Sequence, residues 1–97
     1  MKKPWTEIRK KLHEKPDIRI GKMGITEGVI LEAKRLLKNK GVIKVKVLKN
    51  IAATKKEAKE LIEKLAEEAG AEIGKIIGKT AILYRSDYLK QNVSERS

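Results

Sequence analysis

A chain with one histidine and no cysteine offers few groups for covalent, acid-base or metal chemistry. His13 stands on a short basic segment without the histidine or cysteine neighbours that a metal site needs. The absence of cysteine excludes disulfides and thiol catalysis. Six of the thirteen carboxylates lie among lysines between residues 57 and 72, the pattern of a solvated helix face rather than of paired acids. The glycines are more suggestive. Gly74-Lys75-Ile76-Ile77-Gly78-Lys79-Thr80 imitates a nucleotide-binding loop, but only three residues separate its glycines where G-x-x-x-x-G-K-S/T requires four. It also leads into the strand-like Thr80-Ala81-Ile82-Leu83-Tyr84 instead of a helix that would hold phosphate at its N-terminus. Gly21-Lys22-Met23-Gly24, with the next glycine at Gly28, likewise fails the dinucleotide fingerprint G-x-G-x-x-G. No enzyme, cofactor, metal or small-molecule substrate is expected.

Gly21 to Gly24 nevertheless has a chemistry of its own. Glycines let another molecule come close to the backbone, and Lys22 adds a full positive charge. Thr26 and Glu27 open a helix whose first N–H groups and positive dipole end point into the gap. Together they make a cradle for an anion such as a phosphate backbone. A G-x-x-G loop that clamps a nucleic-acid backbone is the device of KH domains, with RNA the usual client. The same four residues would also serve as an ordinary strand-to-helix turn.

The elements that must position this loop follow from periodicity. Trp5, Ile8 and Leu12 share one helical face, with Thr6 as the expected N-cap and Lys15-Pro16 as the stop. Asp17 to Ile20 alternates as a short strand. After the loop, Thr26 caps a second helix, Ile25 and Ile30 form a hydrophobic staple, and Val29, Ile30, Ala33, Leu36 and Leu37 make its apolar stripe up to Gly41. Val42 to Leu48 reads as a strand with Ile43, Val45 and Val47 on one face and Lys44 and Lys46 on the other. Thr54-Lys55-Lys56-Glu57 is a capping box before a third helix carrying Ala58, Leu61, Ile62, Leu65 and Ala69, which stops at Gly70. Ala71 to Ile77 and Thr80 to Tyr84 form a hairpin through Gly78-Lys79, a two-residue turn with glycine first. The fold expected is α/β, a four-stranded mixed sheet with three helices in the order α-β-α-β-α-β-β. Residues 1–85 form one domain and 86–97 a polar tail.

Composition agrees with such a domain. The 97 residues are 40% hydrophobic and 38% charged, and no run approaches the roughly 18 apolar residues needed to span a bilayer. The N-terminus is basic without an apolar run behind it, unlike a secretory signal, and a soluble cytoplasmic monomer is expected. The net charge is +11. Residues 1–50 hold fifteen basic and five acidic side chains, whereas 51–97 hold nine and eight, so nearly all the excess surrounds the G-x-x-G loop. This favours an anionic partner.

Four blocks carry a resemblance to a known family: Ile20 to Val29, Gly41 to Val47, Ala69-Gly70-Ala71, and Ile77 to Thr80 with Leu83-Tyr84-Arg85. In this order they resemble the CRM domain, the chloroplast RNA splicing and ribosome maturation module, in its single-domain YhbY-like form, over roughly residues 7 to 85. The resemblance implies a fold like the C-terminal domain of translation initiation factor three. It also implies RNA binding through Gly21, Lys22, Met23 and Gly24, and association with precursors of the large ribosomal subunit. Plant relatives with several such domains act in organelle intron splicing. Ser86 stands where a proline often follows the Tyr-Arg pair.

With Trp5, Tyr84 and Tyr88 the only aromatics, a sheet that stacks several bases is not expected. Contacts to backbone and shape are, through Lys22, the loop amides and Thr26, then Arg19, Lys44 and Lys46. Arg35 and Lys38 join only if their helix face lines the site, and Lys44 and Lys46 would otherwise solvate a sheet face. The alternative is a basic module that binds nucleic acid generally or docks on a protein or membrane. For docking, no long amphipathic basic helix and no exposed aromatic anchor is expected.

Overall fold

The residue patterns become elements in the expected order. The computed structural model describes residues 4–48 and 54–86. The polar tail beyond Ser86, with Tyr88, lies outside them.

Helix α1 spans Trp5–Leu12, β1 Ile18–Ile20, α2 Glu27–Lys40, β2 Val42–Val47, α3 Lys55–Ala69, β3 Ala71–Ile77 and β4 Thr80–Arg85. The start of α1 differs from expectation. Thr6 lies inside the helix, and Pro4 is the cap residue, its carbonyl accepting from the Ile8 N–H at 3.0 Å. Proline suits a helix start because the missing N–H would have had no helical partner there.

The other two helix starts are those read from the sequence. The Thr26 hydroxyl accepts from the Val29 N–H at 3.2 Å, and Thr54 and Glu57 complete a reciprocal capping box. Ile25 and Ile30 both pack on the main core, as a staple requires. Gly41 at φ 83° and Gly70 at φ 69° end α2 and α3.

The strands form one sheet in the order β1-β2-β4-β3. β1 and β2 are parallel, joined through α2, while β4 runs antiparallel to both its neighbours. The hairpin β3-β4 thus folds back so that β4 lies between β2 and β3. Its turn has Gly78 at φ 59°, as expected for a glycine-first hairpin.

The two sheet faces are covered unequally. Helices α2 and α3 lie on the face of Ile18, Ile20, Ile43, Val45, Val47, Ala81 and Leu83, closing the main core with Ala33, Leu36, Leu37, Ala58, Ile62, Leu65 and Ala66. On the opposite face, among the described residues, α1 alone packs, bringing Ile8 and Leu12 onto Val42, Ile82 and Tyr84. A register shift between Ile73 and Lys75 puts Gly74 under α1, where a Cβ would come within 2.6 Å of Ile8 Cδ1. Only glycine leaves room for the helix to approach the sheet so closely.

Asp17 ties these layers together. Its carboxylate accepts from Lys11 Nζ at 3.0 Å, Lys40 Nζ at 2.8 Å and the Lys44 N–H at 2.9 Å, and its own N–H donates to the Lys44 carbonyl at 2.8 Å. Burial pushes the Asp17 pKa up, but the bonds from Lys40, Lys44 and Lys11 outweigh that and hold it below its ordinary value.

Candidate nucleic-acid interface

The G-x-x-G loop leaves the carboxyl end of β1, directly after Ile20. A hydrogen bond from the Gly24 N–H to the Gly21 carbonyl, 2.9 Å, closes it as a four-residue turn. Lys22 and Met23 occupy the two central positions with negative φ, and both are exposed, Met23 at 81%. Gly24 needs the left-handed region, at φ 69°. Gly21 does not, and a Cβ there would make only an ordinary contact, 3.8 Å from Leu48 Cδ1. Read as an ordinary strand-to-helix turn, the loop would use its glycines for left-handed backbone, and only Gly24 is there.

Thr26 uses its hydroxyl on the helix it caps. By helix geometry the N–H groups of Glu27 and Gly28 have no partner within α2, so the turn sits beside unpaired donors and the positive end of a helix of 14 residues.

Register places further cations beside the loop. Arg19 pairs with Lys46 across the parallel β1-β2 ladder, Lys46 with Thr80 across β2-β4, and Thr80 with Ile77 across β4-β3. Arg19, Lys46, Thr80 and Ile77 therefore form one row on the face that carries α1, and Arg19, Lys46 and Ile77 are exposed. At about 4.8 Å per strand the row is about 14 Å long. The hairpin turn reaches the same end of the sheet, with the Lys79 carbonyl accepting from the Val47 N–H at 2.8 Å. Strand alternation in the sequence put Arg19 and Lys46 on an outer face but gave no sign that Thr80 and Ile77 complete the row, because strand order is a tertiary property.

Lys44 behaves differently from Lys46. Its ammonium donates to the carbonyls of Leu12 at 2.9 Å and Glu14 at 2.8 Å, fastening the end of α1 to the sheet. Two of its three donors are thereby committed, so the candidate contact becomes a structural one. Arg35 and Lys38 are not brought to the loop either. At 1.5 Å per residue they lie about 13 and 18 Å along α2 from Thr26. The Arg35 guanidinium makes a forked pair with Glu32 at 2.9 and 3.0 Å. Of the aromatics, Tyr84 is buried in the α1-side cluster, and burial together with the charge of Glu72 raises its pKa. Trp5 is the correction to the expected lack of an exposed aromatic, being 45% exposed.

Among the described residues no cluster of three or more His, Cys, Asp or Glu side chains is placed to hold a metal ion, and no helix is long and apolar enough to cross a membrane. The sequence imitation of a phosphate-binding loop is divided between strand β3, the hairpin turn and the start of β4.

Comparison with known proteins adds relatives to this geometry. The chain is 40% identical over 79 residues to Probable RNA-binding protein MJ0652 of Methanocaldococcus jannaschii, a match covering 80% of this chain and 58% of that one. It therefore spans less than two thirds of the archaeal relative. It is 32% identical over 75 residues to Probable RNA-binding protein PA4753 of Pseudomonas aeruginosa, covering 77% and 69% of the two chains. The solution structure of SAV1595 from Staphylococcus aureus, put forward there as an RNA-binding protein, superposes with a TM-score of 0.66 at 34% identity, covering 84% of this chain and 82% of that one. The sequence pattern of the CRS1/YhbY (CRM) domain matches residues 3–85, and with these relatives it shows that the chain belongs to the CRM domain family.

Proposed function

We propose that this protein binds RNA, seating a stretch of sugar-phosphate backbone against Gly21 to Gly24 and the first turn of α2, and that it assists assembly of the large ribosomal subunit. The observation that carries the binding site is the placement of Lys22 and Met23, exposed on a closed turn at the open end of α2, beside the Arg19-Lys46 pair. Helix N–H groups without a partner in α2, the positive end of its dipole and Lys22 adjoin the turn, and Arg19 and Lys46 lie just behind it on the α1 face of the sheet. Thr26 contributes by fixing the helix start, and Arg19 and Lys46 meet adjoining phosphates. Family membership and the RNA-binding names of the relatives support RNA as the polyanion. The ribosomal assignment rests on resemblance to YhbY-like proteins.

The test replaces Lys22 and Met23 together by aspartate. Both side chains are exposed, so the unfolding midpoint should stay within a degree or two. Affinity for a labelled single-stranded oligoribonucleotide, read by fluorescence anisotropy, should fall at least tenfold. Unchanged affinity would reduce the loop to a turn. Sedimentation of cell extract on a density gradient tests the ribosomal part: the protein should travel with large-subunit precursors, and its confinement to the top of the gradient would remove that role.

A further inference from the structure

The row on the α1 face runs from Arg19 beside the G-x-x-G loop across to β3 at the opposite edge of the sheet. Lys75 lies two residues before Ile77 on the same face of β3, since Lys75 pairs with Ile82 and Ile77 with Thr80. There the sheet meets the edge of α1, and Trp5, Ile8, Arg9, Leu12 and Lys75 surround a shallow depression of about 300 Å³. Trp5, Arg9 and Leu12 sit four and then three residues apart, one stripe of the helix. Trp5 is 45% exposed and is the chain's single tryptophan.

Its surroundings determine what the indole can receive. Arg9 and Lys75 flank it, and beyond Ile77 and Thr80 the row reaches Lys46 and then Arg19 beside the loop. An apolar peptide would have to desolvate these cations without replacing their water, which costs free energy. A nucleotide instead supplies a flat π-face for the indole and a phosphate for each neighbouring cation. Ile77, exposed between Lys75 and the loop end of the sheet, offers an apolar rest for a sugar.

We infer that this depression takes one unpaired nucleobase of the bound strand, stacked on Trp5, with its flanking phosphates held by Arg9 and Lys75. The inference rests on the RNA reading above and extends it, since the loop holds backbone whereas this platform holds a base. It makes the protein prefer single strands, because a base inside a duplex offers no free face.

The single tryptophan makes the test direct. A mixed-sequence 12-nucleotide single-stranded RNA should quench tryptophan emission in step with binding measured by anisotropy. Inorganic polyphosphate, which meets the same cations without bases, should bind without quenching. Trp5→Ala should lose roughly tenfold in RNA affinity, while Trp5→Phe, which keeps an aromatic face, should stay within about threefold of the parent. Trp5→Phe also guards against a folding defect in the alanine variant. RNA binding without quenching, equal quenching by polyphosphate, or parental affinity in Trp5→Ala would each overturn the platform and leave the loop reading intact. An aspartate pair at Lys22 and Met23 that kept both affinity and quenching would do the reverse. No RNA binding by the parent protein would remove both readings.

Discussion

A methyl group added at Gly24 would meet nothing within 4 Å, yet the backbone there stands at φ 69°, where an L side chain is strained. Gly21 at the other end of the turn has ordinary backbone and room for a Cβ. The two positions therefore separate folding from recognition. Gly24→Ala should cost about 1 kcal/mol in urea unfolding, the usual penalty for forcing a left-handed residue. Gly21→Ala should leave stability unchanged, because its Cβ would make only an ordinary contact with Leu48, and a severalfold loss of RNA affinity in this variant would show the strand seated against Gly21. Parental binding by Gly21→Ala would mean that close approach occurs at Gly24 alone. At this scale the sequence revealed the loop but not the different duties of its glycines, which depend on dihedrals. Lys44 and Lys46 show the same limit. Alternation makes them equivalent, and only the landing of the end of α1 on Lys44 distinguishes them.

Helices α2 and α3 were legible because their termination signals are local. A threonine before the first turn and a glycine after the last act through bonds spanning a few residues. The attachment of α1 is not local. It depends on Gly74, on Lys44 and on Asp17, which joins Lys11 of α1 and Lys40 of α2 to the edge of the sheet. Asp17→Asn keeps the shape and an acceptor but removes the charge, and should destabilise the protein by about 2 kcal/mol at pH 7. Because the folded state holds the Asp17 carboxyl below its ordinary value of 3.8, its stabilisation is fully present above that value. It is lost as the pH falls through 3.8 toward the lower folded value. The stability gap between parent and variant, followed by urea unfolding from pH 7 to pH 3, should therefore narrow below about pH 5. A gap constant across that range would mean that the carboxylate's charge does not hold α1 and α2 to the sheet.

Across the whole molecule, charge is uneven between the layers, because α2 and α3 carry seven carboxylates against eight basic side chains and so nearly balance. Arg9, Arg19, Lys46 and Lys75 border the sheet face that carries α1, and Lys22 stands on the turn at its end, so these five cations lie on the side away from α3. Counting charge along the chain anticipated a basic region around the loop, since the first fifty residues carry a net +10. It could not place Lys75 there, because that lysine arrives from the less charged half when β3 and β4 complete the sheet. If these five cations each meet one phosphate, the logarithm of RNA affinity should fall against the logarithm of salt concentration with a slope of about 3.5 to 4.5. Replacing Arg19 and Lys46 by glutamine should lower that slope by about 1.5, since two fewer counterions are released. The same change should leave tryptophan quenching at saturation intact, because it removes no part of the Trp5 platform. A flat salt response would exclude electrostatic seating of the backbone. An unaltered slope in the double variant would confine the phosphate contacts to the loop and the edge of α1, leaving the Arg19-Lys46 row as solvated surface.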